Sequence, residues 1–312
     1  MWNIQKEKNK AMVNLNADFE AVTEADIPLL ERFMESAQIE ESNHNLVNLF
    51  LWQTQYPVWQ YHTEDYLILL GIHKGKLFSY MPLCKAEFFE EAILKARSIF
   101  NHYDVSFELS CFTRLALDKI ETLIPRLNVQ IECEAADYVY EGEKLRTLSG
   151  KKLQKRRNNF NHFVSLYEGR YTFSEMTKDD LPELKEYMKQ WRVDRTEEYL
   201  NYEAIGVENV LNLFGVLPYR GAVIRIDGLI KAFIIGSMTS KRMVQINVEK
   251  ADPAIRGLYQ AIEKLFLEQF YPDVPWVNRE DDMGIESLRQ AKQALHPAYM
   301  IDKYRIKENG TT

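Results

Sequence analysis

Apolar residues along this chain follow two spacings, one typical of helices and one typical of strands, and the order of these patterns repeats. In the first half, Thr23 precedes an apolar helical pattern with Pro28 in its first turns, which predicts a helix that begins there. Polar segments at 63–65 and 73–76 separate strand-like runs and predict an antiparallel meander. The predicted elements are helices at 23–37, 86–100 and 114–124 and strands at 57–62, 66–72, 77–81, 105–109, 129–133 and 137–140.

The second half contains the same succession of patterns. Asp227 and Gly228 separate two strand-like runs, and an Asp-Gly pair in this position is a strong signal for a two-residue hairpin turn. The predicted elements are strands at 221–226, 229–237, 243–249, 276–278 and 298–306 and helices at 256–270 and 284–294.

Three short segments match between the halves in the same order. The helix that starts at Thr23 is similar to residues 177–188, with Thr, Asp, Pro, Leu and Met in the same places. The other two pairs are 47–50 with 211–214 and 68–71 with 233–236. Each match alone is uninformative, but three in one order, at nearly constant offset, indicate an internal duplication.

A strongly basic stretch lies between the halves, in a chain whose net charge is −7. Apolar residues at helical spacing predict that residues 149–166 form a helix with one buried face and one basic face. This face is a candidate for binding nucleic-acid phosphates. Its residues are Lys151, Lys152, Lys155, Arg156, Arg157 and Asn158. The alternatives are a solvated helix face, or cations buried between domains and paired with acids such as those at 280–282.

Length and composition allow two globular domains. The chain has 312 residues, of which 46% are apolar, enough for two cores. The negative net charge argues against broad coating of nucleic acid but leaves a local basic groove. Residues 1–14 lack the apolar segment of a signal peptide, and no window is apolar enough to span a membrane. Three scattered cysteines, with no C-x-x-C, predict reduced thiols in the cytoplasm.

Three blocks of sequence resemble the bacterial family named after the C-terminal domain of phosphatidylglycerol lysyltransferase. The first block runs from Asp137 to Tyr140 and continues through the basic stretch, the second spans 277–292 and 296–306, and the third, weaker one is 48–52. In the basic stretch the matching residues are Leu145, Leu148, Gly150, Lys151, Lys152, Leu153, Lys155, Arg156, Asn159 and Phe163.

The resemblance implies an α+β fold with two tandem domains of the GCN5-related N-acetyltransferase type, each a mostly antiparallel sheet flanked by helices. We expect a non-catalytic N-terminal domain at 1–140. The C-terminal domain, 141–312, would contain the basic helix and the donor cleft.

In this fold the donor's phosphates are bound at the N-terminus of the helix after the third meander strand, usually by a glycine-rich turn. The resemblance places this cradle at 252–260, where Arg256 and Gly257 are present but Tyr259 replaces the second small residue. The Tyr259 side chain would crowd a pyrophosphate, which counts against coenzyme A. The matching segment 81–86 has no glycine, so we expect the first copy to be a scaffold or a partner surface.

Acyl transfer to an amine needs a proton acceptor and groups that hold the substrates. Glu249, at the end of the third meander strand, is the candidate base, or else pairs with Lys250 or Arg256. The resemblance implies that Asn278 contacts the donor's arm. Arg279 and the following acids, Asp281 among them, either hold a cationic amine or cap the next helix. Among the other motifs there is no Walker loop, no H-E-x-x-H and no Cys/His cluster, so we predict no metal site.

The sequence therefore favours a cytoplasmic acyl- or aminoacyltransferase that modifies an amine or a hydroxyl. The expected donor is aminoacyl-tRNA, with acyl-coenzyme A as the alternative, and neither is expected to bind tightly as a cofactor. The acceptor would be a small molecule or a peptide. A further alternative is a non-catalytic binding module on the same fold.

Overall fold

The chain folds into two mixed sheets with helices between them and on their outer faces. The computed structural model describes residues 15–73, 75–124, 126–192 and 197–308. In these ranges the helices are α1 (Ile27–Ala37), α2 (Leu46–Trp52), α3 (Phe89–His102), α4 (Arg114–Leu123), α5 (Gly142–Thr147), α6 (Gln154–Leu166), α7 (Leu181–Arg192), α8 (Glu198–Asn212), α9 (Leu258–Phe270) and α10 (Glu286–Gln293). The strands are β1 (Glu20–Ala21), β2 (Val58–His62), β3 (Tyr66–His73), β4 (Lys76–Ser79), β5 (Leu83–Cys84), β6 (Glu108–Phe112), β7 (Leu127–Ile131), β8 (Asp137–Glu141), β9 (Tyr171–Glu175), β10 (Tyr219–Ile226), β11 (Leu229–Ser240), β12 (Met243–Ala251), β13 (Trp276–Asn278), β14 (Tyr299–Ile301) and β15 (Tyr304–Glu308).

The two sheets have the same strand order. The first is β1-β2-β3-β4-β6-β15-β7, with β5 beside β3, and the second is β9-β10-β11-β12-β13-β8-β14. In each sheet one central pair is parallel, β4 with β6 and β12 with β13, and the other pairs are antiparallel. The predicted α+β class, with two mostly antiparallel sheets, is therefore confirmed.

Each half contributes one strand to the other half's sheet. β8 lies between β13 and β14 in the second sheet, and β15 lies between β6 and β7 in the first. The predicted boundary after residue 140 falls inside β8, so a cut there would take one strand from each sheet. Periodicity reveals that a segment is a strand, but the choice of its neighbour depends on contacts with residues far along the chain.

The layer between the sheets joins the two halves. α1, α2, α7 and α8 share one apolar core with the inner faces of both sheets. α2 packs on α8, its counterpart in the other half, at very short range. A Cβ added to Gly206 would lie only 1.8 Å from the Leu51 carbonyl oxygen. This shared core makes the two halves one folding unit. Two further cores lie under α3 and α4 on the first sheet and under α5, α6 and α9 on the second.

The helices α1 and α7, one in each half, are preceded by the same local structure. Thr23 donates its hydroxyl and its N–H to the Asp26 carboxylate at 2.9 and 2.8 Å, and Thr177 does the same to Asp180 at 2.8 and 2.7 Å. These bonds satisfy N–H groups that a helix leaves unpaired at its start. The same capping hydrogen bonds at Thr23 and at Thr177 support the duplication that the sequence indicated.

The predicted basic helix is interrupted. α5 ends at Thr147, and α6 begins at Gln154 rather than at residue 149. Leu148 and Gly150 between them have φ values of 51° and 84°, which a right-handed helix cannot contain. The predicted closing strand is also divided, into β14 and β15, so that Lys303 between them turns inward.

None of the helices in the described ranges is both long and apolar enough to cross a bilayer. The prediction that residues 1–14 are not a signal peptide concerns a segment outside the described residues.

Candidate functional site

Polar side chains gather between the two sheets, where the central parallel pair of the second sheet diverges. We call this set the polar centre. Its residues are Glu41, Ser42, His44, Asn45, Asp137, Gln245, Asn247, Asn278, Glu280, Asp281 and Lys303.

Lys303 is the cation at the middle of the polar centre, and it is fully buried. Its Nζ lies 2.8 Å from Asp137 Oδ1, 3.5 Å from Glu41 Oε2 and 3.8 Å from Asp281 Oδ2. It also donates to Ser42 Oγ at 2.8 Å. Burial by itself would lower the pKa of Lys303, but the carboxylates of Asp137 and Glu41 raise it above its usual value. Lys303 therefore holds the acids of both halves together as a buried ion cluster.

Asn278 is held by both halves of the chain. Its Nδ2 donates to Asp137 Oδ2 at 3.0 Å and to the Glu40 carbonyl oxygen at 3.1 Å. Its Oδ1 accepts from the Glu280 N–H at 2.7 Å. These bonds occupy the amide that the sequence assigned to the donor's arm, and they fix the loop after β13.

Glu280 and Lys292 are half-buried neighbours at the polar centre. Gln245 Nε2 donates to Glu280 Oε1 at 2.7 Å, and Lys292 Nζ donates to the carbonyl oxygens of Arg279 and Glu280. Burial raises the pKa of Glu280 to about 8, because a carboxylate loses hydration there. Burial also lowers the pKa of Lys292.

A cleft of about 750 Å³ opens beside the polar centre and shares Glu41 with it. α3 and α4 both begin at its wall, so two positive helix ends face it. Its apolar wall and its charged rim suit a molecule with an apolar part and a polar end. The lining includes Met81, Pro82, Phe89, Ala116, Met300 and Ile301, and the charged residues Glu40, Arg114, Lys119, Lys241, Arg242 and Asp302. Most of this wall belongs to the N-terminal half, which the sequence analysis expected to be a scaffold.

Four charged side chains fill the space between β12, β13 and α9 in the second half. Arg279 donates to Glu249 Oε2 at 2.5 Å and also to Glu263 Oε1, and Arg156 from α6 donates to Glu263 Oε2 at 2.6 Å. Both glutamates are almost completely buried. Burial and the neighbouring Arg279 lower the pKa of Arg156 to about 10. The predicted base Glu249 and the predicted binding residues Arg156 and Arg279 thus neutralise one another.

The start of α9 lies against α6. Gly257 has a φ of 90°, and a Cβ there would lie 2.1 Å from the Asn159 carbonyl oxygen. Arg256 donates to Asn159 Oδ1 at 2.9 Å. α6 therefore packs directly on the chain at Gly257, where the phosphate cradle was predicted. Tyr259 is half-buried in the first turn of α9.

The remaining basic residues lie at the surface near the start of α6. Lys151, Lys152 and Lys155 are exposed, as is Asn158, and none of these three lysines forms an ion pair within the described part of the chain. Arg157 donates instead to the Leu148 carbonyl oxygen at 2.6 Å, closing the turn before the helix. The predicted basic face is thus divided between exposed lysines and structural arginines.

The structure brings Asn278 and Asp281 together at the polar centre and places Glu249 outside it, in the ion network. Sequence reasoning missed Lys303 and Glu263, and it named Glu280 only as one of the acids of the loop after Asn278. Asp302 and Lys303 interrupt the apolar pattern of the predicted strand 298–306, which was a weak signal for a break there. No motif near Glu263 indicated a role in a site, because the sequence pattern gives it only as a polar position of an amphipathic helix.

Replacing Gly257 with alanine is expected to cost about 1–3 kcal/mol of unfolding free energy, because α6 must move to admit a methyl group. Denaturant unfolding measures this loss. Gly150→Ala is the matched control, because Gly150 has a similar φ of 84° with no heavy atom within 4 Å of the added Cβ. Equal losses in the two variants would mean that the backbone conformation, and not the contact with α6, requires Gly257.

Comparison with known proteins places the chain in one family over most of its length. Residues 35–307 match the family described as "Phosphatidylglycerol lysyltransferase, C-terminal". A conserved protein of unknown function from Bacteroides thetaiotaomicron has a TM-score of 0.87 and 26% identity, covering 94% of this chain and 99% of that one. The structure of L-PGS from Bacillus licheniformis has a TM-score of 0.66 and 16% identity, covering 91% and 92%. The predicted fold, with two tandem GCN5-related N-acetyltransferase-like copies, is confirmed.

A curated relative is the uncharacterized protein MYCGA3080 of Mycoplasmoides gallisepticum, 26% identical over 193 residues. The match covers 61% of this chain and 62% of that protein's length.

Proposed function

The chain belongs to the family of phosphatidylglycerol lysyltransferase C-terminal domains, and from this premise we propose that it transfers an aminoacyl group from aminoacyl-tRNA to an amine or hydroxyl acceptor. Family and fold support an aminoacyltransferase or a related acyltransferase. The donor, the acceptor and the site residues are part of the proposal.

The choice of aminoacyl-tRNA over acyl-coenzyme A as the donor rests on the close packing of Asn159 against Gly257. A coenzyme A thioester needs free N–H groups at the start of α9 for its pyrophosphate. The Asn159 carbonyl oxygen would lie 2.1 Å from a Cβ at Gly257, so α6 packs directly on the chain where α9 begins, and this close packing counts against a phosphate there. An aminoacyl ester of tRNA does not need this cradle, because its phosphates belong to a long polynucleotide that lies along the outside of the protein.

The exposed lysines near the start of α6 support the same donor. Lys151, Lys152 and Lys155 lie in a short segment beside the ion network. A polynucleotide binds such cations through its backbone and releases counterions, whatever its base sequence. The negative net charge elsewhere would confine tRNA to this surface.

The polar centre is the proposed place of transfer, and the cleft is the proposed place of the acceptor. The cleft reaches the polar centre at Glu41, so an acceptor with an apolar part in the cleft would present its polar end there. Lys303 contacts both Glu41 and Asp281, and Glu280 precedes Asp281 in the same loop. This arrangement supports a reaction between the two halves.

The lysine surface predicts a steep dependence of tRNA binding on salt. Affinity for tRNA should fall with salt, and the plot of log affinity against log salt should be less steep in the variant with Lys151, Lys152 and Lys155 changed to alanine. The magnitude of the slope should be smaller by about 2–3, since each phosphate that a lysine neutralises contributes about 0.7–0.9. Filter binding of total tRNA over a salt series measures the slope. Unfolding free energy should remain within about 0.5 kcal/mol, because exposed charges contribute little to it.

A control variant with Lys76, Lys178 and Lys307 changed to alanine removes the same charge from other exposed positions. It should keep the wild-type slope. Equal slopes in all three proteins would contradict a specific lysine surface. An increase in melting temperature with acetyl-coenzyme A, together with no tRNA binding at low salt, would contradict the choice of donor.

A further inference from the structure

Glu280 occupies an unusual backbone position at the point where β12 and β13 diverge. The last paired residues of these strands are Gln245 and Asn278, and Glu280 follows in the left-handed region with a φ of 60°. A residue with a long side chain adopts this region uncommonly. Its carbonyl oxygen accepts from Tyr138 N–H at 3.1 Å and from Lys292 Nζ at 3.2 Å. The loop is thus held so that the Glu280 carboxyl faces the polar centre.

The carboxyl has an unpaired acceptor beside it. Gln245 is fully buried and donates Nε2 to Glu280 Oε1, but its Oε1 has no hydrogen-bond partner among the described residues. A buried carbonyl oxygen without a partner costs free energy, so a donor group of a ligand would be stabilised there. Because the amide nitrogen and oxygen of one side chain are neighbours, this acceptor lies next to the Glu280 carboxyl. Glu280 itself is half-buried.

The charges around Glu280 leave it able to change protonation near neutral pH. The groups that face it are Lys292 from α10, Asp281 in the same loop and Asp137 from β8. Burial raises the pKa of Glu280 to about 8, Lys292 opposes the rise, and the two aspartates add to it. Glu249, by contrast, accepts a hydrogen bond from the Arg279 guanidinium and is neutralised by it.

Resting on the proposed transfer, we propose that Glu280, and not Glu249, accepts the proton of the attacking acceptor. The Glu280 carboxylate takes the proton of the acceptor's hydroxyl or amine as that oxygen or nitrogen bonds to the aminoacyl carbonyl carbon. The bond from this carbon to the ribose oxygen of the tRNA then breaks. The leaving ribose oxygen receives the proton from the Glu280 carboxyl, so that Glu280 ends as a carboxylate.

The first experiment needs no substrate. Dicyclohexylcarbodiimide reacts with protonated carboxyl groups, and peptide mapping by mass spectrometry locates the label. Labelling of Glu280 should be strong near pH 7 and fall by half at about pH 8, where the carboxyl loses its proton. Glu280→Gln should lose this label. Glu286→Gln, which changes an exposed acid on α10, should keep it.

The second experiment measures transfer from a pool of radiolabelled aminoacyl-tRNAs to ethanolamine, which offers both an amine and a hydroxyl. The wild-type rate should rise about tenfold per pH unit and level off near pH 8, because only the carboxylate accepts a proton. Glu280→Gln should be slower by about 100-fold or more and should lose this pH dependence, with unchanged tRNA binding. Glu286→Gln should behave as the wild type.

The outcomes separate the two proposals. A Glu280→Gln variant that transfers at the wild-type rate with the wild-type pH profile would overturn the role of Glu280 and leave the transfer intact. If Glu280 carries no label at pH 7, its proposed role is also overturned, whatever the transfer activity. A wild-type protein that transfers none of the aminoacyl groups would overturn the proposed function, and this role of Glu280 with it.

Discussion

Replacing Lys303 with methionine is expected to lower the free energy of unfolding by about 3–5 kcal/mol, the cost of breaking a buried ion cluster from one side. Methionine fills the same space, but Asp137 and Glu41 are then left as buried carboxylates without their cation. Because Lys303 and these acids come from different halves of the chain, the loss should appear in one cooperative transition. Urea unfolding followed by circular dichroism measures it.

The control for this variant is Lys307→Met, four residues further on in β15. Lys307 is exposed, so its replacement should change the unfolding free energy by no more than about 0.5 kcal/mol. Adding Asp137→Asn to Lys303→Met should recover part of the loss, because it removes one of the unpaired charges. A Lys303→Met protein as stable as the wild type would show that the polar centre does not depend on this cation.

Replacing Arg279 with methionine is expected to cost a similar amount, about 3–5 kcal/mol. The variant leaves Glu249 and Glu263 buried, with Arg156 as the remaining cation of the network. Urea unfolding followed by circular dichroism measures this loss.

The control is Arg170→Met, which breaks an arginine–carboxylate pair at the surface. Arg170 and Asp227 have 54% of each side chain exposed, so this change should cost no more than about 1 kcal/mol. If Arg279→Met were equally mild, the network would not be stabilising the fold, and Arg279 would be available to a substrate as the sequence suggested.

Local structure was predictable wherever near neighbours decide it. The Asp227-Gly228 hairpin is present with φ values of 50° and 86°, the positive pair that this turn requires. The helix predicted at 86–100 is α3, and its apolar stripe, including Ala92, Ile93 and Ala96, is buried as expected. The duplication was also visible, because the same short-range patterns occur twice along the chain.

The site was less predictable, because its contacts join residues far apart in the chain. Asn278 was named as a site candidate, but its partner Asp137 lies 141 residues away and could not be named from the sequence. Arg156 reads as one cation in a basic run, and only the packing of α6 on α9 pairs it with Glu263. A charge pattern predicts the sign of the charge on a surface, but it does not predict which charged side chains become buried.

The sequence by itself determined most of the elements, their repeated order and the family, since these rest on local spacing and short motifs. The tertiary structure decided which sheet β8 and β15 each pair in, which cations are buried and where an open cleft remains. Lys303 bonds to Ser42 across 261 residues, and such a contact exists only once both sheets have formed. Burial then changes what each charged group can do, because a carboxyl taken out of water beside Gln245 holds its proton more tightly.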